Sequence, residues 1–133
     1  MAIDASGSIW IANAGNNSLT KLSSTGAAGN NYTGGGLNAP GPLGIDGAGN
    51  IWLPNSGGNS ISEFSNLGVA LTPLTGFAGG GLGTPAAAAV DGSGNVWVSN
   101  ASSNVVSEFV GVAAPVVTPL VVGVKNNTLG TRP

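Results

Sequence analysis

At 133 residues the chain has the length of a single domain and enough surface to bury a core on folding. Only 6% of its residues are charged, against about 25% in an average soluble protein, and the three basic residues Lys21, Lys125 and Arg132, within a net charge of −2, cannot form the electrostatic footprint that a phosphate backbone requires, which argues against nucleic acid as a partner. Cysteine and histidine are both absent, so disulfides, thiolate sites, the usual general base and the commonest metal ligand are all missing, while 41% hydrophobic content is too apolar for a disordered chain.

From the N-terminus, "MAIDASGSIW" lacks a basic region followed by an apolar one and does not read as a signal peptide. The expectation is a mature or excised segment, or a protein that stays in the cell. "IDASGSIWIAN" at Ile3–Asn13 then returns as "IDGAGNIWLPN" at Ile45–Asn55 and as "VDGSGNVWVSN" at Val90–Asn100. Asp4, Asp46 and Asp91 lie 42 and 45 residues apart, and Trp10, Trp52 and Trp97 keep those spacings. Lys21, Glu63 and Glu108 follow suit in "SLTKLS", "SISEFS" and "VVSEFV", and "GGGLNAP" at Gly34–Pro40 is echoed by "GGGLGTP" at Gly79–Pro85. A period in the low to mid forties, dense in glycine and short apolar runs, marks a propeller blade rather than a helical solenoid.

The second repeat divides into four short strands, "PLGID", "NIWLP", "SISEF" and "ALTPL", rich in β-branched and aromatic residues and separated by Gly, Asn and Pro. "NVWVS" and "PVVTPLVVG" supply the same pieces in the third, and no window holds a helical period. The expected fold is all-β: three four-stranded antiparallel propeller blades over about 1–41, 42–86 and 87–133, forming half of a six-bladed propeller or an open blade array completed by another chain. The apolar run Val110–Val124 is broken by Gly111, Pro115, Thr118, Pro119 and Gly123, short of the roughly 20 residues of a membrane helix, so no membrane span is expected.

The pattern apolar-Asp-x-x-Gly-Asn-apolar-Trp-apolar-x-Asn, followed by "NSISEF", resembles NHL-repeat propellers and the neighbouring streptogramin-lyase-like propellers over essentially the whole chain. The resemblance implies six-bladed wheels, of which three blades leave two apolar faces uncovered. The tail "TPLVVGVKNNTLGTRP" aligns with "TPLTGFAGGGLGTP", and Asp91 lies 46 residues ahead of Asp4 of a following copy, close to the internal steps. Such phase predicts a homo-oligomer joined head to tail, as a closed dimer ring or a filament. The alternative is a piece cut from a longer propeller, which would show the same phase.

Candidate sites are few. The acids Asp4, Asp46, Asp91, Glu63 and Glu108 all occupy repeated positions, so the aspartates read as turn-formers that accept backbone N–H bonds. "DGSGN" resembles a calcium loop, but Val96 stands where that loop needs glycine and Ser102 where it needs a bidentate acid. No metal and no cofactor are expected. Streptogramin lyases depend, by the resemblance, on histidines with a glutamate and magnesium; no histidine here can receive those roles, so no catalytic residue carries over and the chain is expected not to be an enzyme. Trp10, Trp52 and Trp97 read as blade core. The glycine runs Gly34–Gly36 and Gly79–Gly81 lack the Lys-Ser/Thr of a phosphate loop and read as connections between blades. Tyr32, unrepeated and placed in a loop beside Asn30 and Asn31, is the candidate ligand contact, with carbohydrate or peptide as the ligand. Asn16, Asn31, Asn100 and Asn126 head Asn-x-Ser/Thr sequons and are candidate glycosylation sites. The functional expectation is a non-enzymatic extracellular protein that self-assembles through its blades, with a ligand-binding propeller module as the alternative.

Overall fold

The computed structural model describes residues 1–116, and these form three antiparallel sheets with no helix. The first joins β1 (Ala2–Ile3), β2 (Ile9–Asn13), β3 (Ser18–Leu22) and β4 (Asn31–Tyr32) in chain order. The second joins β5 (Gly44–Ile45), β6 (Ile51–Asn55), β7 (Ser60–Phe64) and β8 (Phe77–Ala78) likewise. The third orders β11 (Val106–Phe109), β10 (Val96–Asn100) and β9 (Pro85–Val90), with no fourth strand among the described residues. The tail of the expected piece "PVVTPLVVG" lies outside them. One expected strand is displaced: "ALTPL" contributes only a bridge from Ala70 to Phe64 and the bond from Leu71 N–H to the Glu63 carbonyl, and the outer strand is Phe77–Ala78.

The registers fix which side chains share a face. Trp10 pairs with Ala2 and Lys21, Ala12 with Leu19, and Leu19 with Tyr32, which puts these on one face of blade 1; Ile3, Ile9, Ile11 and Leu22 occupy the other. Blades 2 and 3 repeat this division. The Trp10 face packs on Leu43, Ile51, Leu53 and Phe64 of the second repeat, closing the first core. Trp52 and Ile61 pack in the same way on Val96 and Val98 of the third, closing the second. Each core is therefore a contact between blades, because a single short sheet has nothing of its own to cover its apolar face. Burying one tryptophan there contributes on the order of 4–6 kcal/mol of hydrophobic free energy.

Asparagines stitch the blades. The hairpins joining β2 to β3 and β6 to β7 end on Asn17 and Asn59, both left-handed with φ of 53° and 46°. Their side-chain oxygens accept the backbone N–H groups of Ala39 and Thr84 at 2.7 and 2.8 Å, anchoring the connection to the next blade. At the ends of β6 and β10, Asn55 Oδ1 and Asn100 Oδ1 accept the N–H groups of Asn38 and Gly83, while their amide nitrogens donate to Ser62 Oγ and Ser107 Oγ.

Candidate functional site

The three aspartate turns sit where the first strand of each blade meets the second. Asp4 Oδ1 accepts the N–H groups of Ser6 and Ser8, each at 2.9 Å. Asp46 Oδ1 accepts those of Ala48 and Asn50, and Asp91 Oδ1 those of Ser93 and Asn95. The second oxygen does something that composition does not suggest. It accepts the indole Nε1–H of the tryptophan six residues on, from Trp10 at 2.9 Å, Trp52 at 3.3 Å and Trp97 at 2.9 Å. The aspartate thus closes a turn and satisfies a donor that burial of the ring would otherwise strand. The invariant six-residue separation in all three repeats was the available signal.

These bonds hold two of the carboxyls below the ordinary aspartate range. At Asp4 partial burial pulls upward, but the Ser6 hydroxyl, the Trp10 indole and two backbone N–H groups outweigh it and bring the pKa to about 2. At Asp91 the Trp97 indole leads, followed by the Asn95 N–H, and the pKa again falls to about 2. Both Asp91 oxygens accept hydrogen bonds, Oδ1 from the Ser93 and Asn95 N–H groups and Oδ2 from the Asn95 amide and the Trp97 indole. Among the described residues no group of three acidic residues is placed to hold a metal.

Blade 2 differs from its neighbours. Asn50 Nδ2 lies between two carboxylates, 3.3 Å from Asp46 Oδ2 and 3.1 Å from Glu63 Oε1. Burial, and then the charge of Asp46, raise the Glu63 pKa above its usual value, against the opposing Asn50 bond. In blade 1 Ser8 and Lys21 replace the partners of this arrangement, and in blade 3 Asn95 Nδ2 keeps the bond to Asp91 Oδ2 at 3.0 Å while its Oδ1 accepts the Gly111 N–H. Beside it, between the turns of blades 1 and 2, lies a groove of about 350 Å³ lined by Asp4, Ser6, Lys21, Asp46, Asn66 and Leu67. Lys21 Nζ stands 4.8 Å from the centre of the Trp10 ring and donates to the Asn66 carbonyl at 2.9 Å. The polar groups that line the groove are already engaged: Asp4 and Asp46 accept hydrogen bonds on both oxygens, and the Ser6 hydroxyl donates to Asp4 Oδ1.

The remaining candidates separate. Tyr32 lies on β4 rather than in a loop, half-buried and stacked on Trp10 with ring centres 5.9 Å apart, so its face is already occupied. Asn30 and Asn31 are exposed beside it. Asn16 and Asn31 are exposed and open to a glycan, whereas Asn100 is buried at the blade joint, where a glycan would have to displace the Gly83 loop. Asn126 lies outside the described residues. The glycine runs connect blades with left-handed backbone, φ 84°, 57° and 85° at Gly34–Gly36, and the Gly35 carbonyl receives the hydroxyls of Ser62 and Thr72, so the loop accepts hydrogen bonds instead of cradling an anion. Trp10 and Trp52 are 0% and 1% exposed, but Trp97 is 39% exposed, on a face that no blade covers among the described residues.

No family model and no curated protein sequence matches the chain. Solved structures do. A streptogramin B lyase superposes with a TM-score of 0.61 at 19% identity, over 81% of this chain and 38% of the lyase. A catalytically inactive virginiamycin B lyase from Staphylococcus aureus, with quinupristin, gives 0.61 at 19% identity over 89% and 41%, and the selenomethionine form of that enzyme gives 0.58 at 16% over the same shares. The chain thus spans about two fifths of the length of the structures it matches. These matches correct the expectation of a chain that is not an enzyme: these three structures of its architecture are of lyases, and the missing histidine and cysteine remove particular chemistries without removing catalysis from the fold. The described residues share the β-propeller fold of these structures, as three of its blades.

Proposed function

We propose that this chain is a ring-building module of a lyase-like propeller, its NHL-like repeats supplying three blades to a ring completed by further blades. One observation carries the reading. Trp97 is 39% exposed, although its counterparts Trp10 and Trp52 are sealed by the next blade and although Asp91 already holds its indole in their orientation. A propeller blade with one open face lacks its neighbour.

Acrylamide quenching of native wild-type protein, compared with a Trp97→Phe variant, isolates the contribution of Trp97. The expected result is a Trp97 shielded as well as Trp10 and Trp52; a freely quenched Trp97 in the native protein overturns ring completion. Mass spectrometry of quinupristin after incubation with the assembled protein tests the chemistry. A converted product assigns lyase activity, and unchanged quinupristin confines the likeness to the fold.

A further inference from the structure

Among the described residues, two blade faces are open. The Trp97 face of blade 3 holds a shallow depression of about 230 Å³ formed by Ala87, Ala88, Ala89, Trp97, Ser99 and Val106. It is apolar at its centre, with Val106 63% exposed. At the other end, Ile3 is 64% exposed, and Ile9, Ile11 and Leu22 on the same face are only half-buried. Their counterparts in blade 2, Ile51, Leu53 and Phe64, are completely buried beneath Trp10 and Leu19 of blade 1.

Resting on the ring-completion reading, we propose that the missing neighbour is a second copy of this chain, whose blade 1 seats its Ile3, Ile9 and Leu22 face on the Trp97 face of blade 3. The interfaces inside the chain are the pattern for this contact. At each of them a tryptophan face (Trp10, then Trp52) meets an aliphatic face (Ile51 and Leu53, then Val96 and Val98), and the two open ends of the chain are one face of each kind. The new contact therefore continues an interface already formed twice, with the same partners in the same register. Each end also keeps its polar half. In blades 2 and 3, Asn55 and Asn100 take an N–H from the incoming connection, and Asn13, their counterpart in blade 1, receives no such bond from the described residues. Because the two faces lie on opposite ends, the association is heterologous, closing into a ring or running on as a filament according to the rotation per copy.

The internal contact also supplies a geometric probe. A Cβ built on Gly44 of blade 2 would lie 3.5 Å from Val90 Cγ2 of blade 3, and the counterparts of these positions across the new contact are Ala89 of one copy and Ile3 of the next. The chain has no cysteine, so Ala89→Cys with Ile3→Cys introduces the only thiols. On the full 133-residue chain, light scattering is expected to give twice the 12.7 kDa chain mass or a higher multiple, with Trp97 shielded from acrylamide. The double variant is expected to form an intermolecular disulfide on oxidation, and Trp97→Arg is expected to give a monomer. Should Trp97→Arg fail to fold, Val106→Glu serves instead, since that side chain is exposed within one copy and its charge would lie in the contact.

A monomer with Trp97 shielded overturns both readings, because no further blade then covers that ring; an assembly with Trp97 shielded but without this contact overturns only the second-copy seat and leaves ring completion standing. A monomer with Trp97 freely quenched overturns both. An assembly that survives Val106→Glu, or whose cysteines do not cross-link, overturns this contact.

Discussion

At the scale of single residues, the repeated aspartate is best understood with its tryptophan. Asp46 is buried with donors on both oxygens, and Trp52 delivers one of them while filling the core between blades 2 and 3. Trp52→Ala should cost about 3–5 kcal/mol in urea denaturation, as large-to-small changes at well-packed aromatic sites do. The same change at Trp97 should cost clearly less in a variant held monomeric, because its ring is only partly covered. The acids also predict opposite pH effects. Asp4 and Asp91 are held near 2, below the ordinary 3.8, so the stability they contribute is present above about pH 4 and lost as pH falls towards 2. Glu63, raised above 4.5, contributes stability below that pH and loses it as pH rises through its folded value. Acid titrations followed by tryptophan emission should show a shallower loss between pH 4 and 2 for Asp4→Asn, and Glu63→Gln should be at least as stable as wild type at pH 7. Of this site, the turn role of the aspartates was legible from Asp-x-x-Gly. The indole bond and the Asn50 bridge were not, because they depend on where a strand returns after its turn.

At the scale of elements, the strands were legible because β2, β6 and β10 carry apolar, aromatic and β-branched residues bounded by Gly and Asn. The outer strand was misplaced by its own apolar content. "ALTPL" reads as extended, yet Thr72 turns inward, its hydroxyl donating to the Gly35 carbonyl and accepting the Glu63 N–H, and Gly76 at φ 68° turns the chain before Phe77 pairs with Ile61. Tyr32 lies on a strand and not in the expected loop for a related reason: two residues make a strand only when β3 is already there to pair with. The stitching asparagines give a test at this scale. Asn59→Ala should cost about 1–3 kcal/mol, through loss of the Thr84 bond and the strain of a left-handed alanine, while Asn59→Gly should cost less because glycine keeps the backbone conformation. Gly68, at φ 82° and packed against the Tyr32 ring, leaves no room for a Cβ. Gly68→Ala should lower the melting temperature measurably even though the residue lies in a turn.

At the scale of the whole molecule, the described residues form three blades joined by two cores, with the Trp97 face of blade 3 and the Ile3 face of blade 1 left open among them. Blades that bury nothing alone stabilise one another in sequence, so covering the end faces should stabilise the chain beyond the new contact itself. The second-copy proposal predicts a wild-type melting temperature that rises with concentration and a Val106→Glu variant without that dependence, both measured by scanning calorimetry. The repeat period and the all-β class were determined by sequence alone, because recurrence at 42 and 45 residues and short β-branched and aromatic runs between Gly and Asn are properties of the chain. Only the tertiary structure decided which tryptophan is sealed and which is open, that Asp46 and Glu63 share Asn50, and that Asn100 is buried in a joint. The three repeats look alike in sequence, and it is a neighbour's presence or absence, a property of packing, that gives Trp52 and Trp97 different surroundings.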